Sequence, residues 1–312
     1  MKLNDLVQHI PHTGASDAEI SAITYDSRKA AAGSLFVCLV GAWLDGHTYA
    51  ASAYKNGCRA FLCEHALDLP ADAAQIITAD TRAALAVIGA DFYGNPADQL
   101  HIIGITGTKG KTTTALLTAA IMTEAGLPCA YIGSNGVDIA GVHEATANTT
   151  PESLELQQCF ADTLAHGITH LTMEVSSQAY KQQRVYGVPF PVGLFLNLSE
   201  DHIGPLEHES FEDYFQCKLQ LMKNCKLAVI CRGTDRFEEI YAAAKAHAER
   251  VLVCGNDPSC DLWVENIRKE TPGFTFTVCD KNSRRDFRIT MEGRFNIENA
   301  LAAITITRAL GL

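Results

Sequence analysis

Short apolar runs alternate with segments of helical periodicity over residues 1–97. The apolar runs predict strands at 20–25, 33–40 (entered through a glycine turn), 60–63 and 75–78. The periodic segments predict helices at 3–10, 49–56 and 81–92. Strands alternating with helices indicate a small α/β domain. Gly94-Asn95-Pro96 marks its end and a hinge.

Residues 98–312 begin with another apolar run, Ile102–Ile105, and continue the alternation. Further runs predict strands at 129–132, 169–175, 191–197, 227–230 and 251–254, with helices at 111–123, 152–166, 211–222 and 237–248. Between 133 and 148 the chain is polar, and we expect little regular structure there. Three alternating runs at 262–267, 274–278 and 286–290 are typical of antiparallel strands, and a helix follows at 296–310. The predicted fold is α/β: a small N-terminal α/β domain plus a doubly wound, mostly parallel P-loop ATPase-like central domain with a small antiparallel add-on sheet.

A glycine-rich turn, Gly107-Thr108-Lys109-Gly110, joins the first strand of the second domain to the helix that Lys111-Thr112-Thr113 opens. The backbone N–H groups of such a turn attract phosphate oxygens, a lysine there reaches the terminal phosphates, and a threonine hydroxyl can bind Mg²⁺. The match is imperfect, since Ile105 stands where the general pattern has glycine. The alternative is a tight turn with a solvated lysine. We favour nucleotide binding because Gly-Lys-Thr occurs between a strand and a helix, as the motif requires.

Three more candidate features are placed near the carboxyl ends of the core strands, where ligands gather in doubly wound sheets. Glu174, at the end of the 169–175 strand, suits a Mg²⁺ ligand, with a capping or structural role as the alternative. Asp201-His202 follows the next strand, and spacing alone favours a surface histidine because histidine is an unusual ligand for a hard cation. Lys218 lies within a predicted helix, and the pattern alone favours a solvated side chain.

Composition narrows the class of protein. Hydrophobic residues are 47% and charged residues 20% of the 312, so the chain can bury large cores. The net charge of −11 argues against a nucleic-acid partner. The 11 cysteines are scattered without a Cys-x-x-Cys, and neither a signal-peptide core nor a run long enough for a membrane span is present. We expect a cytoplasmic protein with mostly buried free thiols, and no spacing supports a zinc site.

Together these motifs resemble the Mur ligases, and most closely the MurE type, which adds the third amino acid to UDP-N-acetylmuramoyl-L-alanyl-D-glutamate. The resemblance spans essentially the whole chain, and the off-pattern Ile105 is usual in this family. The markers occur in family order: Tyr25-Asp-Ser-Arg28 with Gly33-Ser-Leu-Phe-Val, Gly107-Thr-Lys-Gly-Lys-Thr112, Asn148-Thr-Thr-Pro151, Met173-Glu-Val-Ser-Ser177 with Gln182 and Arg184, Asn197-Leu-Ser with Asp201-His202, Lys218, and Gly293-Arg-Phe-Asn296 with Asn299.

The resemblance implies a role for each group of residues. For the uridine diphosphate part of the substrate it implies Tyr25, Ser27 and the loop Ala42-Trp43-Leu44. For the muramoyl-peptide part it implies Asn148, Thr149, Thr150, Ser176, Gln182 and Arg184. For ATP it implies the loop residues Gly107 to Thr113, with Asn296 and Asn299 near the adenine. For a first Mg²⁺ it implies Thr112 and Glu174, and for a second His202 with Lys218, carbamylated by CO₂. Catalysis would rest on Lys111, Glu174, His202 and Lys218.

The implied reaction is an ATP-dependent amide ligation in peptidoglycan synthesis, and hence in cell-wall biogenesis, cell shape and division. The substrate carboxylate takes the γ-phosphoryl group of ATP to form an acyl phosphate, which the amine of the incoming amino acid then attacks. Lys111, the loop amides and Mg²⁺ neutralise the developing charge. The substrates are then UDP-MurNAc-dipeptide and an amino acid, and we expect a monomer.

Two departures from the family pattern leave alternatives open. The stretch after His202 differs from the commonest MurE form, which leaves the substrate open. The family also carries a C-terminal domain that contacts the incoming amino acid, whereas this chain stops at Leu312. We therefore expect a two-domain fragment, 1–97 and 98–312, that ligates poorly or not at all. Diaminopimelate, lysine and other amino acids all stay open as the added residue. The alternatives are a MurF-like or related ligase, such as the folylpolyglutamate or cyanophycin type, and a catalytically idle nucleotide-binding module.

Overall fold

The computed structural model describes residues 1–41, 44–201, 203–205 and 207–312. These residues form two compact units. The first unit comprises Met1–Pro96, Glu152–Ala161 and Gln182–Gly187, and the second comprises Ala97–Pro151, Asp162–Lys181 and Val188–Leu312.

Within the described residues, the first unit has a parallel sheet of four strands in the order β1-β2-β3-β4. The strands are β1 (Ala22–Thr24), β2 (Ser34–Val37), β3 (Ala60–Cys63) and β4 (Ala74–Ile77). The helices are α1 (Leu3–Val7), α2 (Ala50–Lys55) and α3 (Thr81–Phe92). Helix α3 begins where the side chain of Asp80 accepts hydrogen bonds from the N–H groups of Arg82 and Ala83.

The two central strands, β2 and β3, are buried on both faces, which explains their nearly continuous apolar sequences. On one face Leu35 and Leu62 pack in a cluster that includes residues of α1 and α3. On the other face Phe36 and Phe61 pack in a cluster that includes residues of α2. Alternate residues of β2 and β3 therefore supply two separate cores.

The second unit is built on a mixed sheet whose described strands run in the order β15-β14-β13-β12-β11-β10-β5-β9-β6-β7-β8. These strands are β5 (His101–Thr106), β6 (Cys129–Gly133), β7 (Gly136–Ile139), β8 (Val142–Glu144), β9 (His170–Glu174), β10 (Phe190–Phe195), β11 (Cys225–Cys231), β12 (Arg250–Gly255), β13 (Leu262–Lys269), β14 (Phe274–Cys279) and β15 (Arg284–Ile289). The helices of this unit are α4 (Lys111–Glu124), α6 (Ser177–Lys181), α7 (Phe211–Lys223), α8 (Phe237–His247) and α9 (Phe295–Ala309). The residues of α5 (Ser153–Ala165) up to Ala161 belong to the first unit and those from Asp162 to the second.

Strand β5 is the centre of the parallel part of this sheet. It pairs with β9 on one side and β10 on the other, with Ile105 opposite both Glu174 and Leu194. The chain winds from β5 first towards one edge and then towards the other, so the loop after β5 lies at a topological switch point. Ligand-binding residues are expected at the carboxyl ends of these three strands.

The α/β fold class predicted from the sequence is confirmed. The three antiparallel strands predicted as an add-on sheet continue the main sheet, because β13 pairs in parallel with β12. The expectation of little regular structure at 133–148 is wrong, since β7 and β8 form a hairpin there. Its turn, Ala140-Gly141, has φ of 54° and 80°, as two-residue hairpin turns require, but exposed β8 lacks the apolar alternation that would have revealed it.

Every one of the 11 cysteines is a free thiol, and most are buried, which confirms that expectation. Among the described residues, no helix combines the length and apolar character needed to cross a bilayer.

Candidate active site

The turn between β5 and α4 takes a shape that its glycines make possible. Gly107 and Gly110 have φ of 150° and 84°, which side chains rarely tolerate. A Cβ atom on Gly110 would clash with Oδ1 of Asn299, and one on Gly107 would lie 3.0 Å from Cβ of Leu196. The open loop leads into α4 at Lys111, so the unpaired N–H groups of the first helical turn lie beside it. This is the geometry of an anion cradle.

The side chain of Asn197, just beyond β10, holds this loop in place. Its Oδ1 accepts hydrogen bonds from the N–H groups of Thr108 (3.0 Å) and Lys109 (2.9 Å), and its Nδ2 donates to the Lys109 carbonyl at 2.9 Å. The Thr108 hydroxyl is in turn held by the backbone of Ser199 and by the hydroxyl of Tyr214. The loop is therefore ordered by its neighbours rather than by its own sequence alone.

Two lysines converge on one carbonyl of the loop. Nζ of Lys111 donates to the carbonyls of Gly107 (2.9 Å) and Thr108 (3.0 Å), and Nζ of Lys218 donates to Gly107 at 2.7 Å. Lys218 is buried, with 2% of its surface exposed, so the interpretation of a solvated side chain is wrong. Burial and then the charge of Lys111 hold the pKa of Lys218 well below its usual value, and burial lowers the pKa of Lys111.

Glu174 ends β9 as a buried carboxylate with a full set of donors on one oxygen. Its Oε1 accepts hydrogen bonds from Oγ1 of Thr112 (2.8 Å), the hydroxyl of Tyr131 (2.8 Å) and the N–H of Ser134 (2.9 Å). Its Oε2 accepts a longer bond, at 3.3 Å, from Oγ of Ser134. The Thr112–Glu174 contact brings together the two residues predicted for the first Mg²⁺.

These residues fit a hard divalent cation. The donor set is made of oxygens, a carboxylate and a hydroxyl, which Mg²⁺ prefers. One carboxylate oxygen, Oε2 of Glu174, keeps lone pairs that the described donors leave largely unused. The glycine cradle next to it suits the phosphates that usually share Mg²⁺ with protein carboxylates.

The other residues predicted in this unit fall into two groups. Thr150 donates to the carbonyl of Glu174 at 2.8 Å and contacts the hydroxyl of Ser176 at 3.3 Å, and Thr149 meets Ser134 at 3.0 Å, so this group adjoins the carboxylate. Asn148 is half-buried beside them, and its carbonyl accepts from Thr146.

The second group lies at the start of α9. Nδ2 of Asn299 donates to Oδ1 of Asn296 at 3.0 Å, both asparagines are buried, and Asn299 closes over Gly110 of the loop. Thr113 lies half-buried in the first turn of α4.

The first unit contains a separate group of predicted residues. Tyr25, Ser27 and Leu44 line a cavity of about 480 Å³, together with Asp26, Arg28 and Tyr49. The hydroxyl of Tyr25 also donates to Glu155 at 2.5 Å.

Arg184 of this unit forms an ion pair with Glu152, with Nη2 2.8 Å from Oε1. The carbonyl of Gln182 accepts a long hydrogen bond from Arg82, which pairs with the same glutamate. Glu152 thus holds two arginine side chains that an anionic ligand would also attract. Ala42, Trp43 and His202, predicted for the substrate and the second cation, lie outside the described residues.

Sequence reasoning missed several residues of the site. Tyr131 and Ser134 contact Glu174 directly, yet a tyrosine in an apolar run is typical of a core and gave no separate signal. Asn197 was part of a recognised motif without an assigned role.

His208 was also missed. It is fully buried, with Nε2 2.8 Å from Oγ of Ser177 and Nδ1 2.9 Å from Oδ2 of Asp213, to which Lys181 also donates. It therefore links the start of α6 to the first turn of α7.

Comparison with known proteins gives two family matches. Residues 105–307 match the Mur ligase middle domain, and residues 19–93 match a domain described as Mur ligase family, catalytic domain.

A UDP-N-acetylmuramoyl-L-alanyl-D-glutamate–2,6-diaminopimelate ligase of Clostridium botulinum is 38% identical over 309 residues, which cover 97% of this chain and 63% of that protein. A solved structure of a ligase with the same name matches with a TM-score of 0.86 at 24% identity, over 100% of this chain and 64% of the other. MurF from Acinetobacter baumannii matches with a TM-score of 0.70 at 25% identity, over 99% and 64%. The chain thus spans less than two thirds of the length of these proteins.

Proposed function

Because the chain belongs to the Mur ligase family, we propose that it forms part of a MurE-type, ATP-dependent ligase. This ligase adds 2,6-diaminopimelate to UDP-N-acetylmuramoyl-L-alanyl-D-glutamate in peptidoglycan synthesis. The observation that carries the proposal is the 38% identity, over 97% of the chain, to a ligase of that name. Because that ligase is considerably longer than this chain, we propose the ligase activity for the whole protein of which this chain forms part.

We assign ATP to the cradle between β5 and α4. The N–H groups of Thr108 and Lys109 donate to Asn197, so the N–H groups at the start of α4 hold the phosphates. Lys111 exchanges the carbonyls of Gly107 and Thr108 for phosphate oxygens. A lysine bound to neutral carbonyls gives them up readily to an anion, because the ammonium gains a Coulomb attraction to the charged phosphate that a neutral carbonyl does not provide. We assign the adenine to the side of the cradle where Asn296 and Asn299 lie.

We assign the first Mg²⁺ to Thr112 and Glu174, and a second to Lys218 with His202. When bound, Mg²⁺ offsets charge on the transferring phosphoryl group. Lys218 serves this site as a carbamate, because its lowered pKa leaves more of the neutral amine that reacts with CO₂. Carbamylation converts a buried cation beside Lys111 into an anion, which relieves the repulsion between the two lysines.

We assign the uridine diphosphate part of the substrate to the cavity of the first unit, where Tyr25, Ser27 and Leu44 line the wall with Arg28. Asn148, Thr149, Thr150, Ser176, Gln182 and Arg184 are assigned to the muramoyl-peptide. Arg184 meets an anion of the substrate through the fork that now binds Glu152. The protein acts in the cytoplasm as a monomer and does not bind nucleic acid.

A second candidate is a MurF-type ligase, favoured by the structural match at a TM-score of 0.70. The two types act on different nucleotide-peptides, so a binding experiment with this chain separates them. Isothermal titration with UDP-MurNAc-L-Ala-D-Glu and with its diaminopimelate-extended form should show tighter binding of the shorter substrate.

Arg184→Ala should weaken binding of that substrate, whereas Arg59→Ala, which breaks an exposed ion pair with Asp72 in the same unit, should leave it unchanged. Tighter binding of the extended form would favour the MurF-type reaction, and binding of neither form would contradict both.

A further inference from the structure

The hydroxyl of Tyr131 contacts the carboxylate of Glu174, to which the proposed function assigns the first Mg²⁺. Tyr131 belongs to β6, which pairs in parallel with β9, and its hydroxyl donates to Oε1 of Glu174 at 2.8 Å. The ring is 3% exposed and packs in the same core cluster as Ile105 and Met122. A tyrosine ring fixed by packing presents its hydroxyl with little conformational freedom. Tyr131 is therefore a rigid donor to this carboxylate.

The two carboxylate oxygens of Glu174 accept different numbers of hydrogen bonds from their described neighbours. Oε1 accepts three hydrogen bonds of 2.8–2.9 Å, from Thr112, Tyr131 and Ser134, whereas Oε2 accepts one of 3.3 Å. The Thr112 hydroxyl is itself a candidate cation ligand, so its bond to Glu174 is subject to change. Tyr131 and the N–H of Ser134 hold Oε1 without taking a ligand from the cation.

Gly133 makes the contact between tyrosine and carboxylate possible. A Cβ atom at this position would clash with both the hydroxyl of Tyr131 and Oε1 of Glu174. The chain therefore leaves a space, at the end of β6, that the hydrogen-bonded pair fills. A tyrosine hydroxyl is ordinarily protonated throughout the neutral range, so it remains a donor there.

We propose that Tyr131 is a positioning residue for the cation site: it fixes Oε1 of Glu174 so that Oε2 stays available to a divalent cation. The inference rests on the proposed function, because it assumes that Glu174 binds the cation of a metal–nucleotide complex. Groups that orient a metal ligand contribute about 10- to 100-fold to metal affinity. The N–H of Ser134 still donates to Oε1 when the hydroxyl is lost, so the low end of this range, about tenfold, applies.

The test measures Mn²⁺ affinity by electron paramagnetic resonance in the presence of ADP, with Mn²⁺ standing in for Mg²⁺ because both prefer oxygen ligands. Tyr131→Phe should weaken Mn²⁺ binding about tenfold and leave ADP affinity in EDTA unchanged. The matched control is Tyr54→Phe, which removes a hydroxyl bound to Asp72 at 2.6 Å in the other unit and should change neither affinity.

Equal Mn²⁺ affinity in wild type and Tyr131→Phe would overturn the inference while leaving the proposed function intact. An equal loss of metal-free ADP affinity would also overturn it, since it would indicate a general structural role. Absence of any Mn²⁺–ADP binding by the wild type would overturn both.

Ser134→Ala provides an independent test of the inference, which is needed if Tyr131→Phe loses its cooperative melting transition. It removes the donor to Oε2, whereas the N–H bond to Oε1 remains. Since Oε2 is the oxygen offered to the cation, Mn²⁺ affinity should stay the same or rise. A severalfold loss would contradict the asymmetry on which the inference depends.

Discussion

Replacing Asn197 by alanine removes the side chain that holds the phosphate loop from outside. Three hydrogen bonds are lost, two from the N–H groups of Thr108 and Lys109 and one to the Lys109 carbonyl. At about 1 kcal/mol net each, they contribute at most about 3 kcal/mol to the order of the loop. Lys109 is exposed, so water replaces part of this. We expect about 1–2 kcal/mol, or roughly 5- to 30-fold weaker nucleotide binding.

The assay is isothermal titration with Mg²⁺ and a non-hydrolysable ATP analogue, with a thermal melt to confirm folding. Gln75→Ala is the matched control, because its amide clamps another loop in the same way, through the N–H (2.8 Å) and carbonyl (3.0 Å) of Leu67 in the first unit. It should lower stability without changing nucleotide affinity. Unchanged affinity in Asn197→Ala, or an equal loss in Gln75→Ala, would refute the reasoning.

Three further predictions follow from single contacts. Gly110→Ala should weaken nucleotide binding at least about tenfold, because the new Cβ atom would clash with Asn299. The control Gly126→Ala, at a similar φ of 87° with open space around it, should lower stability without changing nucleotide affinity. Equal nucleotide affinities in the two variants would contradict this. Burial lowers the pKa of His208, so the unfolded chain binds the proton more readily than the folded chain does. The free energy of unfolding should therefore fall as pH drops below about 6.5. Denaturant unfolding of His208→Gln should show a smaller fall with pH, and an equal fall would refute the role of His208 in it. Bicarbonate at mildly alkaline pH should tighten Mn²⁺ binding by the wild type but not by Lys218→Met, and equal responses would exclude the carbamate.

Much of the site followed from the order of residue types along the chain. A strand, glycines and Lys111-Thr112 at a helix start specify a local structure, so the loop was predictable without knowledge of the tertiary fold. Glu174 was predictable because parallel strands bring their carboxyl ends to one edge. The structure places it against Thr112, at 2.8 Å.

Other features depended on packing that no local pattern reveals. Lys218 has the sequence context of a solvated helix residue, but the fold turns that face of α7 towards the loop after β5 and buries the amine. Tyr131 has the context of a core residue, and only the space at Gly133 lets its hydroxyl reach Glu174. Tertiary contacts decide which polar side chains become buried, whereas the periodicity of the sequence indicates only which faces of an element are apolar.

The central claim is that the cradle between β5 and α4 binds the phosphates of ATP through Lys111. Isothermal titration of this chain with Mg²⁺ and a non-hydrolysable ATP analogue tests it most directly, using two lysines of the same loop. Lys111→Ala should abolish measurable binding, because its amine is directed into the loop, whereas Lys109→Ala should bind as the wild type does, because its side chain is exposed. Wild-type affinity in Lys111→Ala, or no binding by the wild-type chain, would contradict the claim.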